Sequence, residues 1–169
     1  MISCVGGEII YPFIFPILFR GALLSLDGFP DNPTPFNREQ IREHILNVKK
    51  TFPAEQISGG NHIVIDHGNN EFSLLAHLKN GSLLTKKGDR VEQGQLIAKC
   101  GNSGEGSTSP HLHYQLMDHA NLLKAKGLPI QFFDYEGSIF EDQALNVIGE
   151  PAEVTDVLKT SGVILIKTK

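Results

Sequence analysis

Residues 60–78 read GNHIVIDHGNNEFSLLAHL, and the fold turns on them. Ile63 and Ile65 alternate with Val64 and Asp66, the period of two that marks a strand rather than a helix. Asn69-Asn70 interrupts the run, and a second apolar stretch, Phe72 to Leu78, ends at Asn80-Gly81. Two strands joined by a tight turn are expected. Residues 86–118, KKGDRVEQGQLIAKCGNSGEGSTSPHLHYQLMD, continue the pattern. Gly-Asp and Gln-Gly punctuate two short strands there, at Val91 and from Leu96 to Cys100. Pro110 forces Ser109 into an extended conformation and leads into a strand from His111 to Met117. Further strands are expected over Leu128 to Tyr135 and Gly162 to Lys167.

Toward the N-terminus, residues 27–36, DGFPDNPTPF, concentrate Pro, Asp and Asn and predict an irregular loop. A helix should follow. Asn37 suits the N-cap with Gln40 at N3, and Ile41, Ile45 and Val48 recur at i, i+4 and i+7. Pro53 and Gly59-Gly60 end this segment. Its polar face carries Arg38, Glu39, Arg42, Glu43 and Lys49, so the helix is expected on the surface and distant from any chemistry. The apolar run from Ile9 to Phe19 is too short for a bilayer span of about 20 residues and is broken by Pro12 and Pro16. Only Glu8 precedes it, so it has no basic region of the signal-peptide kind; a buried strand pair is the preferred reading.

The chain has 169 residues, of which 40% are hydrophobic, enough for one domain with an ordinary core. A formal charge of −4 leaves no basic field for a phosphate backbone, so nucleic acid is excluded as a partner. With two cysteines, Cys4 and Cys100, the chain cannot build a disulfide framework or a four-thiolate metal site.

The candidate chemistry lies in histidines. Side chains at i and i+2 of a strand share one face about 6.6–6.8 Å apart, so His111 and His113 project together. Zinc takes neutral imidazole, and a catalytic zinc site uses three protein ligands and keeps a position for water. His77, at the end of the 72–78 strand, is the third histidine that strand pairing can bring alongside. Histidine also serves as a general base near neutral pH, so ligand and proton-transfer roles can share one cluster. An isolated His-x-His pair is more often a surface or hydrogen-bonded pair than a metal site. His67 is expected to be a structural hydrogen-bonding residue, His44 an exposed or half-buried helix residue, and His119 a loop residue. Gly101 to Gly106 would let backbone pass close to an extended substrate, or would form a flexible turn.

Taken in order, the strand and turn at 60–68, the Ala76-His77-Leu78 triplet, the Gly88-to-Ile97 hairpin, Gly101-Asn102-Ser103-Gly104 and the Pro110-to-Asp118 strand resemble the lysostaphin/LytM-type zinc endopeptidases over residues 59–118. The resemblance implies a mainly β fold: a compact antiparallel β-sheet or β-sandwich of the duplicated hybrid motif type, with one inserted surface helix. It implies a peptidase-like domain over 23–169, an inserted loop and helix at 27–58, and an atypical segment at 1–22. Residues 17–32 faintly resemble the family's strand leading into an insertion loop, so the chain is expected to begin inside the domain. The implied activity is that of a zinc metalloendopeptidase acting on peptidoglycan cross-bridges or other glycine-containing peptides in the cell envelope. By the same likeness His113 is a zinc ligand, and His77 and His111 are catalytic. Zinc would bring the pKa of its water down toward about 7.

The family's other two zinc ligands come from an upstream His-x-x-x-Asp segment, and none precedes residue 59 here. His62 and Asp66 have that spacing, but four residues of extended strand span about 13 Å, too far for both to reach one ion. Activity of the chain is therefore left open. The alternatives are a non-catalytic wall-binding or regulatory module of the same fold and, from the Gly88-to-Ile97 hairpin alone, a lipoyl-like or sugar-phosphotransfer carrier domain.

Overall fold

In a computed structural model, the structure describes residues 2–5, 8–10, 21–34, 37–92, 95–128, 139–141 and 162–167. The elements run β1 (Ile2–Val5), β2 (Glu8–Ile10), β3 (Gly21–Leu26), α1 (Arg38–Val48), α2 (Ala54–Gly59), β4 (Asn61–Gly68), β5 (Glu71–Leu78), β6 (Leu96–Lys99), β7 (His113–Met117), β8 (Ile139–Glu141) and β9 (Gly162–Lys167). The protein is mainly β, as the alternation required. Its centre is a four-stranded antiparallel sheet in the order β3-β4-β5-β7. β2 pairs antiparallel with β6, and β9 lies between β1 and β8. Most of the expected strand at 128–135 lies outside the described residues.

The turn between β4 and β5 follows from its residues. Gly68 pairs with Glu71, leaving Asn69 and Asn70 as a two-residue loop with φ of 54° and 62°. Two successive positive φ values define the primed turn whose twist suits a hairpin, and Asn tolerates that region best among residues with a side chain.

Two apolar layers cover the two faces of the sheet. One contains Ile63, Ile65, Leu75, Leu78, Leu112 and Tyr114, with Val91, Ile97 and Ala98 over them. The other contains Val64, Leu74, Ala76 and Met117. Even and odd positions of β4 and β7 divide between the layers as a pleat requires.

α1 begins at the expected cap: Asn37 Oδ1 accepts from the backbone N–H of Glu39 at 3.1 Å and of Gln40 at 3.0 Å. Ile41, Ile45 and Val48 are buried against Phe29, with Phe52 and Ile57 beside them. Burying an aliphatic side chain of this size contributes about 1.5–3 kcal/mol, which fixes the helix on the domain. A second, six-residue helix, α2, starts after Pro53 where one helix was expected. Its shortness leaves no room for a hydrophobic period, so only the Pro and Gly boundaries were readable. α1 is also less remote than expected: Lys49, its C-cap, pairs with Glu105 at 2.8 Å, on the loop that carries the candidate site.

Candidate functional site

His77, His111 and His113 converge. The His77 ring centroid lies 4.8 Å from that of His111 and 5.8 Å from that of His113. Strand alternation accounts for His111 and His113 sharing a face, but it does not account for His77. Ala76 pairs with His113 and Leu75 with Tyr114, so a regular strand would turn His77 to the face of Leu75, away from His113.

A bulge reverses this. On β4 and β5, Asn61 pairs with Leu78 while Ile63 pairs with Leu75, so two residues of β5, Ala76 and His77, face one residue of β4, His62. His77 takes up the extra residue with φ of 62°, left-handed backbone that a non-glycine residue adopts at a cost. Leu75 and Leu78, three apart, then fall in the same apolar layer, and the ring of His77 is delivered to the face of Ala76 and His113.

Each ring is oriented by backbone. His77 Nδ1 lies 2.7 Å from Ser103 O, and His111 Nδ1 lies 2.8 Å from Ser109 O. A carbonyl can only accept, so Nδ1 is the protonated nitrogen in both rings and Nε2 carries the lone pair. His111 Nε2 is buried with no hydrogen-bond partner. His113 is half-buried and hydrogen-bonded by the Gln115 side chain.

The cluster is neutral. Burial first, then the neighbouring His111 and His113, push His77 down to about 3, against the hydrogen bond it donates to the Ser103 carbonyl. Burial lowers His113 to about 4, and burial lowers His111 too, with the Ser109 hydrogen bond opposing. Three imidazoles this close cannot all charge in a site with little water.

His62 is a member that the sequence reading had only discarded. It shares the face of Val64 by alternation, is fully buried and sits opposite the bulge. Its Nδ1 lies 2.9 Å from Gly60 O, Nε2 has no partner, and its own charge would further depress His77. The signal was available: strand position 62 is even, like 64, and 64 is apolar on the His113 face once the strand pairing is known.

The remaining histidines stand apart. His67 Nε2 hydrogen-bonds Ser73 Oγ at 2.6 Å, and Ser73 Oγ lies 2.6 Å from the Tyr114 hydroxyl, a chain on the opposite face of the sheet. His44 is half-buried on α1 and meets Phe29 edge-on at 6.3 Å. His119 is an exposed loop residue accepting from the Asn121 N–H at 2.8 Å.

The glycine-rich run is a packed element. A Cβ on Gly101 would lie 2.3 Å from Lys79 N, and one on Gly104 would lie 2.6 Å from Gly60 N. These glycines let the loop lie against the end of β5 and the start of β4, placing Ser103 O under His77. Gly106 differs: its Cβ direction points toward His77, with Cε1 at 3.8 Å.

Neutral imidazoles are themselves zinc ligands. The clustered side chains are all imidazoles, and among the described residues no group of three or more His, Cys, Asp or Glu is placed to hold a metal ion.

An antiparallel β domain with buried neutral histidines gathered at a bulge defines the class. Residues 47–125 match the family model described as Peptidase family M23, bearing out the lysostaphin/LytM-type resemblance. The peptidoglycan DD-endopeptidase ShyA of Vibrio cholerae serotype O1 is 47% identical over 58 residues, 34% of this chain and 13% of that protein. An uncharacterized metalloprotease of Buchnera aphidicola subsp. Baizongia pistaciae is 38% identical over 84 residues, 50% of this chain and 20% of that protein. The matches thus span a fifth or less of these relatives' length. Among solved structures, LytU aligns over 75% of this chain and 63% of its own with 21% identity and a TM-score of 0.43. The catalytic domain of lysostaphin from Staphylococcus simulans aligns over 69% and 70% with 21% identity and a TM-score of 0.38.

Proposed function

We propose that this chain carries the imidazole part of a peptidoglycan-directed peptidase site, which engages the peptide cross-links of the cell envelope and is not by itself a complete zinc endopeptidase. The observation that supports it is the convergence of His77, His111 and His113 on one face through the bulge. In this reading His113 is the family's zinc ligand present here, while His77 and His111 are the groups that meet substrate. A general base works best with a pKa near the operating pH. His77, held near 3, is far from it at neutral pH. The Nε2 lone pair of His77 therefore acts first as a hydrogen-bond acceptor for a peptide N–H or a water.

The relatives support this substrate class: the V. cholerae protein similar over 58 residues is named as a peptidoglycan DD-endopeptidase. A second reading is a non-catalytic wall-binding or regulatory module of the same fold, and its support is that among the described residues no group of three or more His, Cys, Asp or Glu is placed to hold a metal ion. The test incubates the chain with purified peptidoglycan sacculi and with a pentaglycine peptide, with added zinc and with chelator, following sedimentation with sacculi and released fragments. Sedimentation with little or no release is expected, and combined His77→Ala and His111→Ala substitution should weaken sedimentation. Robust zinc-dependent release abolished by His113→Ala would refute the incompleteness of the site. Neither binding nor release in any condition would refute the substrate.

A further inference from the structure

We propose that Asn32, which touches neither ring, is a positioning residue that fixes the proton-bearing nitrogen of both His77 and His111. This deepens, and rests on, the reading of those two rings as substrate-facing groups. The two carbonyls that hold them, Ser103 O and Ser109 O, belong to the loop at 101–109, and that loop is secured by Asn32 from across the fold.

Asn32 is buried, 4% exposed. Its side-chain Nδ2 donates to Gly104 O at 2.6 Å and to Ser107 O at 2.8 Å. Its backbone N–H donates to Asn102 O at 2.9 Å, and Asn102 Nδ2 donates to Asn32 O at 3.4 Å. Asp31 forms an isolated bridge with Ser103. The loop is thus gripped on both sides of its tightest bend, and each grip bears on one ring. Holding Gly104 fixes Ser103, whose carbonyl takes the His77 Nδ1–H. Holding Ser107 fixes a hydroxyl that donates to Asn102 Oδ1 at 2.7 Å and stands 3.4 Å from His111 Nδ1. Two N–H donors on one planar amide are needed to reach both carbonyls, which an aspartate or a hydroxyl does not supply. A buried carbonyl left without its donor costs about 1–3 kcal/mol, so loss of the amide gives the loop reason to rearrange.

His62 is the internal control. Its Nδ1 is held by Gly60 O, off the loop.

The experiment is nitrogen-15 NMR of the imidazole rings in the full chain. Wild type should show His62, His77 and His111 all protonated on Nδ1. In Asn32→Ala, with spectral dispersion intact, His77 and His111 should pass to mixed tautomers while His62 keeps its own. Asn32→Asp, which keeps the shape but not the two donors, should behave alike, and Ser107→Ala should move His111 alone. Unchanged His77 and His111 tautomers in a folded Asn32 variant would overturn the proposal. So would a change at all three histidines, or loss of the fold in both Asn32 variants, since either makes the role a general structural one. Failure of the wild-type chain to bind sacculi would sink the functional reading and leave the tautomer result standing.

Discussion

Acidification of the metal-free chain should unfold it, because the buried imidazoles are neutral in the native state. The ordinary histidine value of 6.5 describes the unfolded chain, and His77 and His113 fall to about 3 and about 4 in the fold. Between those limits the unfolded state binds protons that the native state refuses, so stability is full above 6.5 and is lost as pH falls toward the native values. For a group still neutral in the fold, the stability lost is RT ln(1 + 10^(6.5 − pH)). This is about 0.2 kcal/mol at pH 7 and about 2 kcal/mol at pH 5. Each ring therefore loses about 2 kcal/mol over that step, and the two together about 4 kcal/mol, against a total of about 5–15 kcal/mol for a typical domain. His62, His67 and His111 are lowered by burial as well and push the same way. Urea unfolding followed by circular dichroism at pH 7 and pH 5, with chelator present, measures it. The double substitution His77→Asn and His113→Gln should remove the about 4 kcal/mol that these two rings supply. Equal stability at the two pH values, or a rise on acidification, would refute the assignment of buried neutral rings.

Gly101→Ala should destabilise the fold by about 1–3 kcal/mol, because its Cβ would strike the backbone of Lys79 and no side-chain movement relieves that; thermal unfolding checks it. Asn37→Ala removes the acceptor for two helix N–H groups and should cost about 1 kcal/mol without altering the histidine NMR signals. At position 77, Val should be less stable than Asn by about 1 kcal/mol or more, since the left-handed backbone there penalises a β-branched residue; equal stabilities would argue against the bulge.

The parts of the fold legible in the sequence were those governed by local rules. Alternation gave the β4–β5 hairpin, Asn69-Asn70 gave its turn, and Asn37 with Ile41, Ile45 and Val48 gave α1. The His111 and His113 pair was legible for the same reason. His77 was grouped with them on strand pairing and on resemblance, but alternation alone puts it on the wrong face, and a bulge of one residue leaves no mark in a single sequence. The glycine run was read as substrate-facing or flexible because its partners, Lys79 and Gly60, are distant in sequence. Asn32 sits in a loop rich in Pro, Asp and Asn where polar residues carry no distinguishing pattern, and its partners lie about seventy positions on.

The same locks that shape the cluster leave it short of partners. Backbone carbonyls take the Nδ1 protons of His62, His77 and His111, and this leaves Nε2 as the lone-pair nitrogen of each ring. Two of them, on His62 and His111, are buried and unpaired, each at a cost of about 1–3 kcal/mol. Protonation does not relieve that cost, since burial opposes a charge on either ring. A group that brings N–H or O–H donors without net charge, such as a peptide backbone, does relieve it at His111. A zinc ion relieves it too, since it takes the lone pair of a neutral imidazole. The cluster thus refuses a proton yet keeps two lone pairs for a ligand that leaves the rings uncharged, whether the N–H of a peptide or a metal ion.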